Sequence, residues 1–369
     1  MNLNLLRNAC LCLLGVAVGA CTPIPQGEKV AEKKEFVFPS PPDEPRFIYE
    51  RTIRGSADVE AAKEGSALRQ ALTGVGTTTE LLSKPYAVAV HKGRVLVSDS
   101  ADRHVRVFDV PAQKYYKIGD DEAGAIAKPL GIDVDNAGNV YVADALNKAI
   151  LVYDIKGKFL RKIGDAKQFD RLSSVTVDAD GKRLYVVDIG GVSSQLHRVR
   201  VYDATNGTHL FDIGKRGSGP GEFNLPRDVA IGKDGRLYVV DGGNFRVQVF
   251  DASGKYLQAF GTVGKQLGNF ARPKEIATDA EGNVYVVDAA FGNFQIFNAD
   301  GDLLMFVGSR SERDGPANYM LPSGITVDED GRVYMVDQWF RKVDVYRPAT
   351  LAVDGGFLGQ RPKAEVKGK

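Results

Sequence analysis

Cysteine is nearly absent from this 369-residue chain: there are three, Cys10, Cys12 and Cys21, all at the N-terminal end. No disulfide framework can hold the remainder, which must bury its own apolar surface to fold. Histidine is scarce too, with four residues at 91, 104, 197 and 209. No His-x-Glu-x-x-His spacing and no Gly-x-Ser-x-Gly elbow occurs, which argues against zinc hydrolysis and against a serine nucleophile of that type. A dominant charge is missing: 48 basic side chains stand against 47 acidic ones, without the concentrated basic stripe that nucleic acid binding requires. Helical periodicity is missing as well, since no segment between residues 85 and 350 carries a 3.6-residue apolar stripe. The Gly-rich GKRGSGPG at 214–221 lacks a strand-to-helix setting and a Gly-Lys-Ser/Thr ending, so it reads as a linker and not as a phosphate loop.

What the chain has is repetition. DGRLYVVDGGNFRVQVFD at 234–251 returns 47 positions later as EGNVYVVDAAFGNFQIFN. The aspartate closing the Tyr-Val-x-Asp run recurs as Asp99, Asp144, Asp188, Asp241, Asp288 and Asp337, at spacings of 45, 44, 53, 47 and 49 residues. Each copy reads as four short strands in period-two alternation. Glycine stands in the first hairpin (Gly138, Gly181, Gly235, Gly282, Gly331) and in the last (Gly157, Gly207, Gly254, Gly301), where a left-handed residue closes the turn. A lone sheet of this composition would leave an apolar face wet, so the copies must stack. Six of them around an axis predict an all-β fold, a six-bladed β-propeller of four-stranded antiparallel blades. A linear β-solenoid is the alternative.

The linker GKRGSGPGEFNLPRDVAI (214–231) and the run directly after it resemble the NHL repeat, in the Gly-rich, Phe-Asn-x-Pro lead-in, the Tyr-Val-x-Asp and the Asn-x-Arg-hydrophobic ending. Copies two, four and five match well. Copy three replaces the leading proline by Leu172 and inserts GGVSSQL, and copy one lacks the acidic turn at HKGR. The resemblance covers roughly residues 82–351. It implies a fold only, because the family hosts enzymes and pure binding modules alike. Amidating lyases that resemble it use several histidines around zinc, and lactonase-like propellers use a central carboxylate and amide cluster around calcium.

The N-terminal region is read separately. Residues 1–20 read as a secretory signal peptide: one basic residue, Arg7, then a short apolar run. The ending Val18-Gly19-Ala20-Cys21 resembles the bacterial lipobox, which implies lipidation of Cys21, palmitate included, and stable membrane attachment. By resemblance to lipoprotein sorting rules, Thr22 after the cysteine implies the outer membrane, facing the periplasm of a bacterial cell envelope. Residues 21–45 combine Pro with charge and read as a disordered tether. Residues 46–54, RFIYERTIR, alternate like a strand and are expected to close the ring on blade six, the competing closure being GGFLG near residue 357. The propeller domain is set at 46–359, with one short helix expected within 56–75 and a basic tail at 360–369.

The six repeat aspartates read as turn caps and not as a metal ring, because every copy demands one. Variation between copies marks the candidate binding surface instead. After the lead-in proline slot stand Tyr86, Leu130, Ser173, Arg227, Lys274 and Ser323, then Ala87, Gly131, Ser174, Asp228, Glu275 and Gly324, all expected near the channel mouth. The loops between second and third strands add Phe245, Arg246, Phe291, Trp339, Phe340 and Arg341, aromatic and arginine side chains of the kind that anchor interfaces. The candidate binding face is therefore Tyr86, Arg227, Asp228, Phe245, Arg246, Lys274, Glu275, Phe291, Trp339, Phe340 and Arg341. The leading expectation is a membrane-anchored, non-catalytic scaffold for a protein or envelope polymer, with no cofactor. The alternative is a calcium-assisted lyase or hydrolase using the central channel.

Overall fold

The computed structural model describes residues 35–61, 79–191 and 193–359. The leader, Cys21, the tail and most of the expected helix within 56–75 lie outside them; Ser56–Asp58 form a single 3-10 turn.

Period-two alternation delivers the expected strands. Blade one consists of Pro85–His91, Arg94–Asp99, His104–Asp109 and Lys114–Ile118, each antiparallel to the next. Blades two to five repeat this order from innermost strands Pro129–Val134, Leu172–Val177, Pro226–Ile231 and Pro273–Thr278. Blade six takes Pro322–Val327, Val333–Asp337 and Lys342–Pro348 from the C-terminal end and Phe47–Ile53 from the N-terminal end. The closure expected at 46–54 is thus the one observed, and Gly356–Gly359 form a helical turn and not a strand. Pairing runs further towards the N-terminus than expected. Val37–Phe38, inside the stretch read as tether, add a fifth strand through Val37↔Ile48 and Phe38↔Phe47.

Each innermost strand touches those of its two neighbours, and the strand of blade six touches that of blade one, which closes the ring. Six apolar clusters make up the interior, and each joins two adjacent blades. Tyr141, Val152 and Ile163 of blade two meet Val175, Val186 and Tyr202 of blade three, for example, while Ile53 and Val343 of blade six meet Val97 and Phe108 of blade one. No blade has a core of its own, so the sheets stay dry only by facing one another.

The repeat aspartates are fully buried and hold the backbone. Asp144 accepts from the amides of Ala127, Lys128, Leu146 and Asn147 at 2.6 to 3.1 Å, tying the lead-in of its blade to the loop after its second strand. Asp337 does the same for Met320, Leu321 and Phe340. The hairpin glycines have positive φ, as at Gly138 (85°) and Gly254 (86°), which a Cβ would oppose. Linkers between blades and the loops between second and third strands emerge on one face, called the loop face below. The Asp-x-x-Gly hairpins emerge on the opposite one.

Candidate functional site

All six innermost strands break register just after their lead-in residue, between Pro226 and Val229 in blade four and between Pro273 and Ile276 in blade five, for instance. This irregularity turns the second slot into the central channel. There blades six, one, two and three carry Gly324, Ala87, Gly131 and Ser174, and their backbones come close: a Cβ on Gly131 would lie 2.5 Å from Ser174 Cα, and one on Gly324 2.8 Å from Ala87 Cα. Blades four and five carry Asp228 and Glu275, which are 6 % and 8 % exposed. These two carboxylates therefore project beneath the rim and do not stand on it.

Below them lies a cavity of about 430 Å³, walled by Asp133, Val134, Thr176, Val177, Ile231, Thr278 and Thr326 among others. Asp228 is held by the Ser174 hydroxyl, by its own neighbour's amide (Val229, 2.8 Å) and by the Ile276 amide of blade five (2.9 Å). Burial nevertheless pushes its carboxyl up to about 6, the hydrogen bonds opposing the shift. Burial raises Glu275 further above the carboxylate range, with the Asp228 charge adding to it. Asp133, also raised by burial, accepts from Thr176 Oγ1 at 2.7 Å and from the Val177 and Val134 amides at 2.8 Å. Sequence reading missed Asp133; its signal was an acidic residue in a slot that other blades fill with Ala or Thr.

Above this layer Tyr86 is half-buried. Burial first, then Glu275, lifts its hydroxyl to about 12. Lys274 is also half-buried, and burial, then the neighbouring Arg272 and Arg227, lower its ammonium. Neither Arg227 with Asp228 nor Lys274 with Glu275 forms an ion pair within 4.0 Å, since adjacent residues point to different layers.

The loop aromatics divide. Trp339 stands 62 % exposed, with Arg341 exposed beside it and Arg227 exposed at the channel mouth. Phe245 packs partly against the cluster between blades four and five. Phe291 is half-buried, and Phe340, also half-buried, lies under the Lys342 ammonium at 5.7 Å. Arg246 is engaged within its blade, paired to Asp241 at 2.9 Å and donating to the Gly219 and Glu222 carbonyls.

Calcium takes six to eight oxygen ligands. Among the described residues no three His, Cys, Asp or Glu side chains converge on one point, and the channel carboxylates Asp133 and Asp228 are already engaged by hydroxyls and amides. The donors present do not fit a calcium cage. The histidines stay apart: His104 bonds Asp120, His209 bonds Asp212, and His197 bonds the backbone of Phe223 and Leu225.

The NHL repeat model matches residues 223–250, and a model described as 6-bladed beta-propeller matches residues 75–166. NHL repeat-containing protein 3 of Mus musculus is 37% identical over 95 residues, 25% of this chain and 26% of that protein, and the Homo sapiens protein is 36% identical over the same length. The chain thus matches about a quarter of the length of these relatives. Among solved structures, a protein of unknown function from Bacteroides thetaiotaomicron superposes with a TM-score of 0.57 at 18% identity, covering 81% of this chain and 76% of that one. A gluconolactonase from Xanthomonas campestris gives 0.55 at 15% identity, covering 81% and 98%. A streptogramin B lyase gives 0.51 at 15% identity, covering 72% and 94%. At these identities the likeness shows the fold alone.

Proposed function

We propose that this NHL-repeat six-bladed propeller is a non-catalytic docking scaffold, held at a bacterial envelope membrane by a lipid on Cys21 and presenting its loop face to a large envelope component. One observation carries the reading: the exposed side chains suited to anchoring, Trp339, Arg341 and Arg227, all lie on the loop face, while the ionisable groups of the channel are hydrogen-bonded into its wall. Exposed aromatic and arginine side chains cover large area with few rotamers to freeze. A photo-crosslinker placed at Trp339 in cells is expected to give adducts that one placed at Lys158, on the hairpin face, does not. Equal adducts from both positions would defeat the reading.

A second reading, a small-molecule or catalytic site in the channel, draws on the raised carboxyl of Asp228 above the cavity, a group suited to giving up a proton near neutral pH. Turnover of a lactone or other small substrate that Asp228→Asn abolishes would favour it.

A further inference from the structure

Given the loop-face reading, on which this inference rests, the charge pattern of that face names what it meets. In four blades the residue just before the innermost strand is basic: Lys84, Lys128, Arg171 and Arg272. Their carbonyls accept from Ser100, Ala145, Ile189 and Ala289 at 3.0 Å, the residues that open the loops between second and third strands, which fixes them to the loop face. All four are exposed. Arg227 and Lys274 continue the ring in blades four and five, one slot further on. None of these six cations has an ion-pair partner within 4.0 Å among the described residues. Burial first, and then the nearby Arg272 and Arg227, lower the Lys274 ammonium, so like charges lie close together on this side of the ring.

Apolar side chains stand around this ring. Leu81, Leu146, Leu196, Val263 and Trp339 are exposed on the linkers and loops, distributed over blades one, two, three, the join of four and five, and six. Leu146 is 67 % exposed. Elsewhere Leu160, Leu210, Leu257, Leu304 and Phe306 are exposed along the outermost strands, and the hairpin face sets exposed Lys92, Lys156, Lys158 and Lys233 among its turn aspartates. Loop-face carboxylates sit in the linkers. Glu80, Glu222 and Asp314 are already paired with Lys117, Lys215 and Lys342, leaving Asp120, Asp121, Glu122, Asp165, Asp170 and Glu312 among the opposing charges.

A protein epitope gathers its apolar anchors in one central patch with a polar rim. Here the order is reversed: the centre is cationic and the anchors are spread around the circumference, which suits a planar, fluid surface of negative charge. We propose that the loop face docks flat on an anionic lipid leaflet, its ring of cations meeting headgroup phosphates while Trp339, Leu146 and the other loop tips enter the headgroup boundary. The hairpin face mixes both signs of charge, so the loop face, which adds these anchors to its ring of cations, is the side that meets the leaflet.

Trp339 is the single tryptophan of the chain, which makes its emission a direct reporter. The full chain carrying Cys21→Ser, so that no acyl group contributes, is mixed with vesicles of phosphatidylglycerol and phosphatidylcholine. Co-sedimentation and a blue shift of emission are expected, both weakening as salt rises. Lys84→Glu with Arg272→Glu is expected to weaken binding at least about tenfold, Leu146→Ser to weaken it without changing its salt dependence, and Lys156→Glu with Lys158→Glu on the hairpin face to leave it unchanged. Absence of the blue shift, equal binding to pure phosphatidylcholine, or equal binding to soluble polyphosphate with no emission change would overturn the lipid assignment. Should crosslinks from Trp339 to an envelope protein persist in that event, the docking reading survives and only the leaflet is removed from it.

Discussion

Glu50 Oε2 accepts a hydrogen bond from Arg332 Nε at 2.8 Å, joining residues 282 positions apart. Two positions along the same closing strand, Thr52 Oγ1 donates to Asp344 Oδ1 at 2.6 Å, and Asp344 is in turn paired with the buried Lys342 at 2.8 Å. The join between the two ends of the ring is therefore keyed by side chains as well as by backbone pairing. Arg332 is fully buried and also donates to the Gly355 carbonyl at 2.8 Å.

Removing Glu50 leaves the buried Arg332 short of one carboxylate, with Asp330 at 3.3 Å and the Gly355 carbonyl as remaining partners. Glu50→Ala is expected to destabilise the fold by about 3 kcal/mol, read from the urea midpoint. Adding Arg332→Met should recover part of the loss, because the buried guanidinium that lacks its Glu50 partner is then gone too. A double variant less stable than Glu50→Ala would show that Arg332 serves mainly through Gly355 and Asp330.

Close approach of innermost strands gives a second expectation. Gly324→Ala places a methyl 2.8 Å from both Ala87 Cα and the Tyr86 carbonyl, backbone atoms that cannot swing aside. The expected loss is about 1 to 3 kcal/mol, with increased amide exchange concentrated in blades six and one. Uniform exchange around the ring would contradict it.

Much of this architecture was legible in the sequence. The recurring aspartate set the blade count, its turn-capping role came from being demanded in every copy, and the alternation in RFIYERTIR marked the closing strand. Val37–Phe38 was not legible, since a two-residue pairing has no periodicity to read. Nor was the direction of Asp228 and Glu275: the register break in each innermost strand interrupts the alternation, so parity counted from Pro226 or Pro273 does not carry across it. Phe245 and Phe340 illustrate a further limit. A loop aromatic in sequence can sit against a blade core or on the surface, and only packing separates Phe245 from Trp339.

The raised carboxyl of Asp228 has a definite sign in stability. An unfolded aspartate titrates at 3.8 and this one at about 6, so the folded state binds the extra proton in between. Its contribution is fully present below about pH 4 and is lost as pH rises through 6; on the order of 2 to 3 kcal/mol is at stake. Asp228→Asn is expected to flatten the fall of the urea midpoint between pH 4 and 6 relative to the parent chain. Parallel curves for the two would show that Asp228 ionises normally.

Calcium offers a direct check on the channel. Titrated by calorimetry into the chain, it is expected to give no saturable heat from these residues, because the donors are dispersed and engaged. Heat that Glu275→Gln abolishes would reinstate a metal in the channel.

The placement of Phe47–Ile53 against Lys342–Pro348 also bears on biosynthesis. The strand that completes the last blade leaves the ribosome before any blade exists and waits for a partner 292 residues downstream, as Thr52 does for Asp344. At typical elongation rates that interval is roughly 15 to 60 s. Until the sixth repeat has formed, the edge of the arc and the apolar side of the waiting segment stay uncovered, and the ring cannot latch.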